Sequence, residues 1–220
     1  MQTIAIQRDT RFSPHSVEKD YDILAAVAQP LNAKIIAENN LKAHHLAEAN
    51  IILNMGRLPH TLQMIEKYAA QKCVVNPTNG IRNCQRSLIT KLMRNANIPI
   101  PPQEGNKGYW LKRGDEAAQS ENDIIYCANK KQLQQAKTAF SKRGITNTVV
   151  QAHVEGDLVK FYGVNNTHFF RYYYPTDDGI TKFADEQHNG TAHHFPFQWK
   201  ALEATANHIA TLANTPVYWG

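Results

Sequence analysis

The 220-residue sequence has no apolar run approaching the roughly 18 to 20 residues needed to cross a bilayer. Its opening, MQTIAIQRDT, holds too short and too polar an apolar stretch for a secretory signal. A membrane span and an export leader are therefore not expected, and a cytoplasmic protein is; the N-x-T matches at Asn165 and Asn189 then read as chance. Cysteine is scarce. Cys73, Cys84 and Cys127 are odd in number and lack CxxC spacing, which excludes a disulfide framework and a zinc ribbon and leaves buried thiols as the expectation. The sequence also lacks a basic block: its net charge of +5 comes from dispersed Lys and Arg, so a nucleic-acid partner is not expected and a multiply anionic small ligand accounts for the excess. Ten histidines are present, but there is no HExxH and no Cys-His zinc spacing. His153-Val-Glu155 has the form of a deaminase HxE element without its PCxxC partner. The adjacent pairs His44-His45 and His193-His194 would point to opposite faces of a strand, so no metal site is expected within these residues.

What is present has the make-up of a globular protein, with 42% hydrophobic and 20% charged residues. Ile4 to Ile6 reads as a strand, and Val17, Tyr21, Leu24, Ala28 and Leu31 recur at helical spacing after Ser16, a candidate N-cap. The runs 34–37 and 50–54, a helix marked by Leu62, Ile65 and Ala69, and the strand 73–76 follow. Continuous apolar strands separated by helices specify a parallel sheet covered on both faces. The layer is Rossmann-like, but no GxGxxG follows its first strand, which disfavours a dinucleotide. Asn76 to Gly80 is turn chemistry and closes a first domain over residues 1–80.

The second domain, 81–220, begins with a helix whose apolar face holds Leu88, Ile89, Leu92, Met93 and Ala96 and which Pro99, Pro101 and Pro102 stop. Strands are expected at 109–112, 123–127 and 148–154, with a helix marked by Leu133, Ala136 and Phe140 and ended by Gly144. Residues 158–164 and 168–174 alternate as an antiparallel pair. Trp199, Leu202, Ala206, Ile209 and Leu212 mark a closing helix. The fold class is therefore mixed α/β (α+β), in two linked domains.

Three segments carry a family resemblance. In Asn79 to Pro101, a turn leads into a helix with Arg86 near its start and an Asn97-Ile98-Pro99-Ile-Pro101 exit. Alone, Arg86 reads first as a solvated residue of an amphipathic helix; at a helix start its charge would add to the positive end of the dipole and favour a phosphate. Gly108-Tyr-Trp-Leu-Lys112 is an apolar strand ended by a lysine, whose stem packs while its ammonium faces a cleft. Val149-Val-Gln151-Ala152-His153-Val154-Glu155-Gly156 precedes Leu158-Val-Lys160-Phe-Tyr162-Gly. Together these resemble the ATP-grasp superfamily, carboxylate-amine ligases above all, with Lys160 similar to a lysine of its inositol-phosphate-kinase-like branch.

The resemblance implies a Rossmann-like pre-ATP-grasp domain followed by a partial ATP-grasp domain, with a lid subdomain over about 103–154 and an incomplete C-terminal subdomain over about 155–220. It implies ATP as cofactor, held by Arg86 and Lys112 at its phosphates and by the backbone of Gln151, Ala152, His153 and Val154 at its adenine. Lys160 and Arg171 would face an anionic small-molecule or peptide substrate. Glu155 and Asp157 read as solvent-facing turn carboxylates. Relatives hold Mg²⁺ through an acidic element and an E/D-x-N stretch on late strands, and no E/D-x-N follows the closing helix here, so the magnesium ligands are expected beyond residue 220, in a chain cut short. The expected activity is ATP-dependent ligation through an acylphosphate attacked by an amine or thiol. A small-molecule kinase of the same fold, or a nucleotide-binding scaffold without turnover, remains open.

Overall fold

The computed structural model describes residues 1–14, 16–116, 118–179 and 188–220. The chain forms two compact units, Met1–Arg82 with Asn214–Pro216, and Asn83–Ala213 with Val217–Gly220. No helix among the described residues is long and apolar enough to cross a membrane.

The first unit alternates β1 (Thr3–Gln7), α1 (Val17–Ala28), β2 (Lys34–Ala37), α2 (Ala43–Glu48), β3 (Ile51–Asn54), α3 (Pro59–Tyr68) and β4 (Cys73–Val75). Its four strands are parallel, in the order β2-β1-β3-β4. The sheet is buried on both sides, which is why β1 reads as an unbroken apolar run. Ile4 and Ile6 pack with Ile36, Leu46, Ile52 and Ile65, whereas Ala5 packs with Leu24 and Ala28 of α1. Each buried isoleucine contributes on the order of 1.5–3 kcal/mol. At the carboxyl ends of the strands Glu38, 1% exposed, accepts from the backbone N–H groups of Asp9, Arg57 and Leu58, which ties together the segments following three different strands.

Three details differ from the sequence reading. Ser16 makes no side-chain capping bond to α1. Cys73 and Cys84 are exposed and only Cys127 is buried. The expected turn at 76–80 runs into a short helix, α4 (Thr78–Asn83), whose first turn closes through Ile81 N–H to the Pro77 carbonyl. Gly80 is fixed there by a close approach rather than by the turn: a Cβ would lie 2.1 Å from the Asn214 carbonyl oxygen. Asn214 also donates to Asn79 Oδ1 at 3.0 Å, so a segment distant in sequence completes the first unit.

In the second unit α5 (Arg86–Asn95) ends at Asn97, in the left-handed region at φ 55°. β5 (Tyr109–Arg113), β6 (Ile124–Cys127), α6 (Lys130–Lys142) and β7 (Thr148–Ala152) follow, and the strands form an antiparallel sheet in the order β6-β5-β7. One face packs on α6 through Tyr109, Leu111, Cys127, Leu133, Phe140 and Ile145. Gly156, at φ 147°, turns the chain toward a second antiparallel sheet of β8 (Lys160–Val164), β9 (Phe170–Tyr173) and β10 (Val217–Trp219), in the order β10-β8-β9. The closing helix, α7 (Trp199–Ala213), covers one of its faces through Phe161, Phe170, Leu202, Ala206, Ala210 and Tyr218. β10 is a strand that the sequence pattern did not mark.

Gly80→Ala should destabilise the protein by about 1–3 kcal/mol, the cost of forcing a methyl group against fixed backbone. Urea denaturation checks this, and an unchanged midpoint would show that the Asn214 segment gives way freely.

Candidate functional site

Because Tyr109 and Leu111 point into α6, strand alternation sends Trp110 and Lys112 to the opposite face of the sheet, where Trp110 is itself buried. Register places Tyr126 and Gln151 across from Trp110, and Ile124 and Val149 across from Lys112, so all six side chains share that face. Lys112 Nζ is 5.9 Å from the centre of a Trp110 ring, within cation–π range.

Arg86 reaches the end of the same strand: its Nη1 donates to the Arg113 carbonyl at 2.6 Å. The neighbouring Ser87 donates its N–H and its hydroxyl to the Gly114 carbonyl, both at 3.0 Å, and Gly114 N–H donates to the Asn147 carbonyl. The start of α5 is thus turned onto the chain's own carbonyls. The sequence reading gave this helix start to a phosphate; in the structure its bonds also hold α5 to the end of β5, carrying Arg86 to within one residue of Lys112.

The main chain of β7 divides its groups between two sides. His153 N–H donates to the Gly108 carbonyl at 2.9 Å, which with the antiparallel register also commits Gln151 to Trp110 inside the ladder. Ala152 faces the outer edge, where its N–H donates to the Pro102 carbonyl at 2.6 Å. Alternation turns the Ala152 carbonyl to that edge as well. Val154 is 55% exposed just beyond it. The main-chain groups of Gln151 are therefore taken up inside the sheet, and those of Ala152 lie at its outer edge.

His153 is fixed by Trp110, whose indole Nε1 donates to His153 Nδ1 at 3.1 Å. An indole N–H can only donate, so Nδ1 carries no proton and the other ring nitrogen does. Burial, with the neighbouring His188 ring adding to it, lowers the His153 pKa below the usual histidine range, against a smaller opposing pull from Glu155. His188 extends the cluster: its ring centre lies 3.6 Å from that of Tyr126, 4.8 Å from that of His153 and 5.6 Å from that of Trp110.

On the other sheet Phe161 and Phe170 face α7, which sends Lys160 and Tyr162 of β8 to the open side together with Arg171 and Tyr173 of β9 and Trp219 of β10. Lys160 stands across from Tyr173, and Tyr162 is flanked by Arg171 and Trp219. Lys160 and Arg171 thus share a face, one residue pair apart. Arg171 donates to the Phe170 carbonyl and lies 5.4 Å from the Phe169 ring centre.

Glu155 is a turn carboxylate, 65% exposed and 3.4 Å from Lys107 Nζ. Asp157 is not. Its side chain is 8% exposed and accepts from the N–H groups of His193 and Phe195 at 2.7 and 2.9 Å, bonds that hold its pKa below the usual carboxylate range. Among the described residues no three His, Cys, Asp or Glu side chains gather as metal ligands.

No protein-family model matches the sequence, and no curated protein matches it. Solved structures do match its fold. A RimK domain ATP-grasp protein from Sphaerobacter thermophilus superposes with a TM-score of 0.60 at 14% identity, covering 99% of this chain and 84% of that one. The D-alanine-D-alanine ligase from Coxiella burnetii gives 0.64 at 9% identity, covering 100% and 80%. The chain has the ATP-grasp fold. The ATP complex of the D-alanine–D-alanine ligase from Bacillus anthracis matches similarly, with a TM-score of 0.59 at 10% identity and coverages of 100% and 80%.

In this chain of ATP-grasp fold the sequence reading gave no role to Trp110, Tyr126 or His188, and it took Asp157 for a solvent-facing turn carboxylate. Trp110 carried a signal, since it stands two residues before Lys112 on a strand and must share its face. Tyr126 required the β5–β6 register. Nothing in the sequence connected His188 to a strand some 35 residues before it.

The His153 geometry predicts a titration midpoint below the ordinary value of about 6.5. A base with a lowered pKa in the folded state binds fewer protons folded than unfolded, so its contribution to stability is present above the unfolded value and is lost as pH falls below it. Imidazole NMR should show the His153 midpoint low, and Trp110→Phe should change it; a midpoint at or above 6.5 would contradict the assigned tautomer and burial.

Proposed function

We propose that this ATP-grasp chain binds ATP on its second unit and acts as an ATP-dependent ligase that activates a carboxylate. The observation carrying the proposal is the gathering of Lys112, the ring cluster and the outer edge of β7 on one side of a single small sheet. A strand edge offering the Ala152 carbonyl and the Val154 N–H suits a base that has an exocyclic amine beside a ring-nitrogen acceptor, as adenine does. Lys112 supplies a positive charge at the phosphates, and Arg86, held at the end of the same strand, adds a second. The ATP complex among solved structures of this fold supports the same ligand.

In the proposed reaction a substrate carboxylate oxygen attacks the γ-phosphorus, the bond to the β–γ bridging oxygen breaks, and ADP leaves. An amine or thiol then attacks the acyl carbon, phosphate leaves with the bonding pair, and the nucleophile's proton passes to solvent. No side chain forms a covalent intermediate. Lys112 and Arg86 neutralise charge that grows on the leaving ADP, and Lys160 with Arg171 orients the anionic acceptor. That RimK-type and D-alanine-D-alanine ligase structures share the fold supports ligation over other uses of ATP.

Calorimetric titration with Mg-ATP should show binding that Lys112→Ala weakens by about 1.5–3 kcal/mol, the scale of a hydrogen bond to a charged group. Equal affinity in the variant would remove Lys112 from the site. In a turnover assay the ligase reading requires free phosphate; phosphate retained on the product would establish a kinase instead.

A further inference from the structure

The net positive charge of the chain resides in one helix. The sequence has 24 Lys and Arg against 19 Asp and Glu, and residues 130–143 hold five of the former and none of the latter. The rest of the chain therefore balances, 19 against 19, and the excess of +5 belongs to α6 and the Arg143 that follows it. The sequence reading took that excess as dispersed; the fold gathers it on one surface.

α6 packs inward through Leu133, Ala136 and Phe140. A helix turns about 100° per residue, so its exposed side carries two rows of lysine, Lys130 with Lys137 and Lys131 with Lys142. Gln134, Thr138 and Ser141, exposed and uncharged, lie between the rows. Lys130 meets Glu104 at 2.8 Å, but both side chains are largely exposed, so water and other carboxylates compete for the pair. Arg143 differs: it holds the buried carboxylate of Asp123 at 2.5 Å and serves the fold. Among the described residues Lys131, Lys137 and Lys142 form no ion pair.

We propose that the outer face of α6 docks an acidic polypeptide that lies extended along the helix. Alternate side chains of an extended chain point to opposite sides, so its carboxylates meet the two lysine rows in turn while its main chain runs over the short polar groups between them. The rows extend about 18 Å, the length of roughly five or six extended residues. No exposed large apolar side chain of the described residues lies on α6, so the face has nothing to insert into a membrane. A nucleic-acid strand carries its charge along one backbone line and gains affinity by stacking its bases, for which this face has no ring. α6 covers the side of the β6-β5-β7 sheet away from Lys112, so docking there leaves the proposed nucleotide face uncovered and does not depend on the nucleotide reading.

The test separates this face from net charge. Binding of deca-glutamate and of an equally charged single-stranded DNA to the full chain is measured at low ionic strength, where exposed charges are least screened. One triple variant combines Lys131→Gln, Lys137→Gln and Lys142→Gln; a second combines Lys19→Gln, Lys34→Gln and Lys67→Gln, removing the same charge from exposed lysines of the first unit. Glutamine matches lysine in helix propensity, so circular dichroism should show both variants folded as the wild type. Wild type should bind deca-glutamate more tightly than the DNA. The α6 triple should weaken deca-glutamate about tenfold, as loss of three exposed ion pairs does, and the first-unit triple should stay within about twofold of wild type. No binding of deca-glutamate by the wild type, or equal weakening by both triples, would overturn the docking face. DNA binding as tight as that of deca-glutamate would overturn the polypeptide as its occupant.

Discussion

β5 is hydrogen-bonded along both edges, to β6 on one side and β7 on the other, so the β6-β5-β7 sheet can meet a ligand only through a face or through the outer edges of β6 and β7. One face is spent on α6, where Tyr109 and Leu111 close the core. Everything assigned to the site follows from the face that is left. Trp110 and Lys112 must lie on it because a strand alternates, and register brings Tyr126 and Gln151 beside them. The same pairing turns Ala152 outward and Gln151 inward, which decides which backbone groups stand at the edge.

The charges of the site are positioned by main-chain hydrogen bonds more than by ion pairs. Arg86 is fixed by the Arg113 carbonyl and α5 by the Gly114 carbonyl, so both the arginine and its helix are referenced to β5. His153 is referenced to Trp110, and the 188–195 strap to Asp157. Such bonds cost little entropy at the moment a ligand binds, because the groups are already ordered. The second sheet repeats the plan: one face is packed on α7, and the other displays Lys160, Arg171 and exposed aromatic rings.

The parts of this fold that were legible in the sequence are those set by local pattern. Continuous apolar runs specified the parallel sheet, since Ile4, Ala5 and Ile6 are buried on both sides, and alternation specified β8 and β9 with Lys160 and Tyr162 on one face. The prolines that stop α5 were legible too, and Asn97 before them takes the left-handed backbone that asparagine tolerates. What was not legible depends on contacts distant in the chain. Gly80 is fixed by Asn214, Asp157 is buried by residues 193–195, and His188 is seated on Tyr126. Asp157 looked like a turn carboxylate because its partners are backbone N–H groups, which leave no trace in residue type. At the start of α5 the cation was legible in the sequence, but the bonds from Arg86 and Ser87 to the Arg113 and Gly114 carbonyls, again backbone partners, were not.

The central claim is that the nucleotide lies against the outer edge of β7 and the face of β5 that carries Lys112. Amide hydrogen exchange with and without Mg-ATP tests it directly. The account predicts that ATP slows exchange at Val154 and the residues around it and at the β5 end near Lys112, and leaves the β1–β4 sheet unchanged. Protection confined to the β1–β4 sheet, or none at residues 152–154 under saturating ATP, would contradict it.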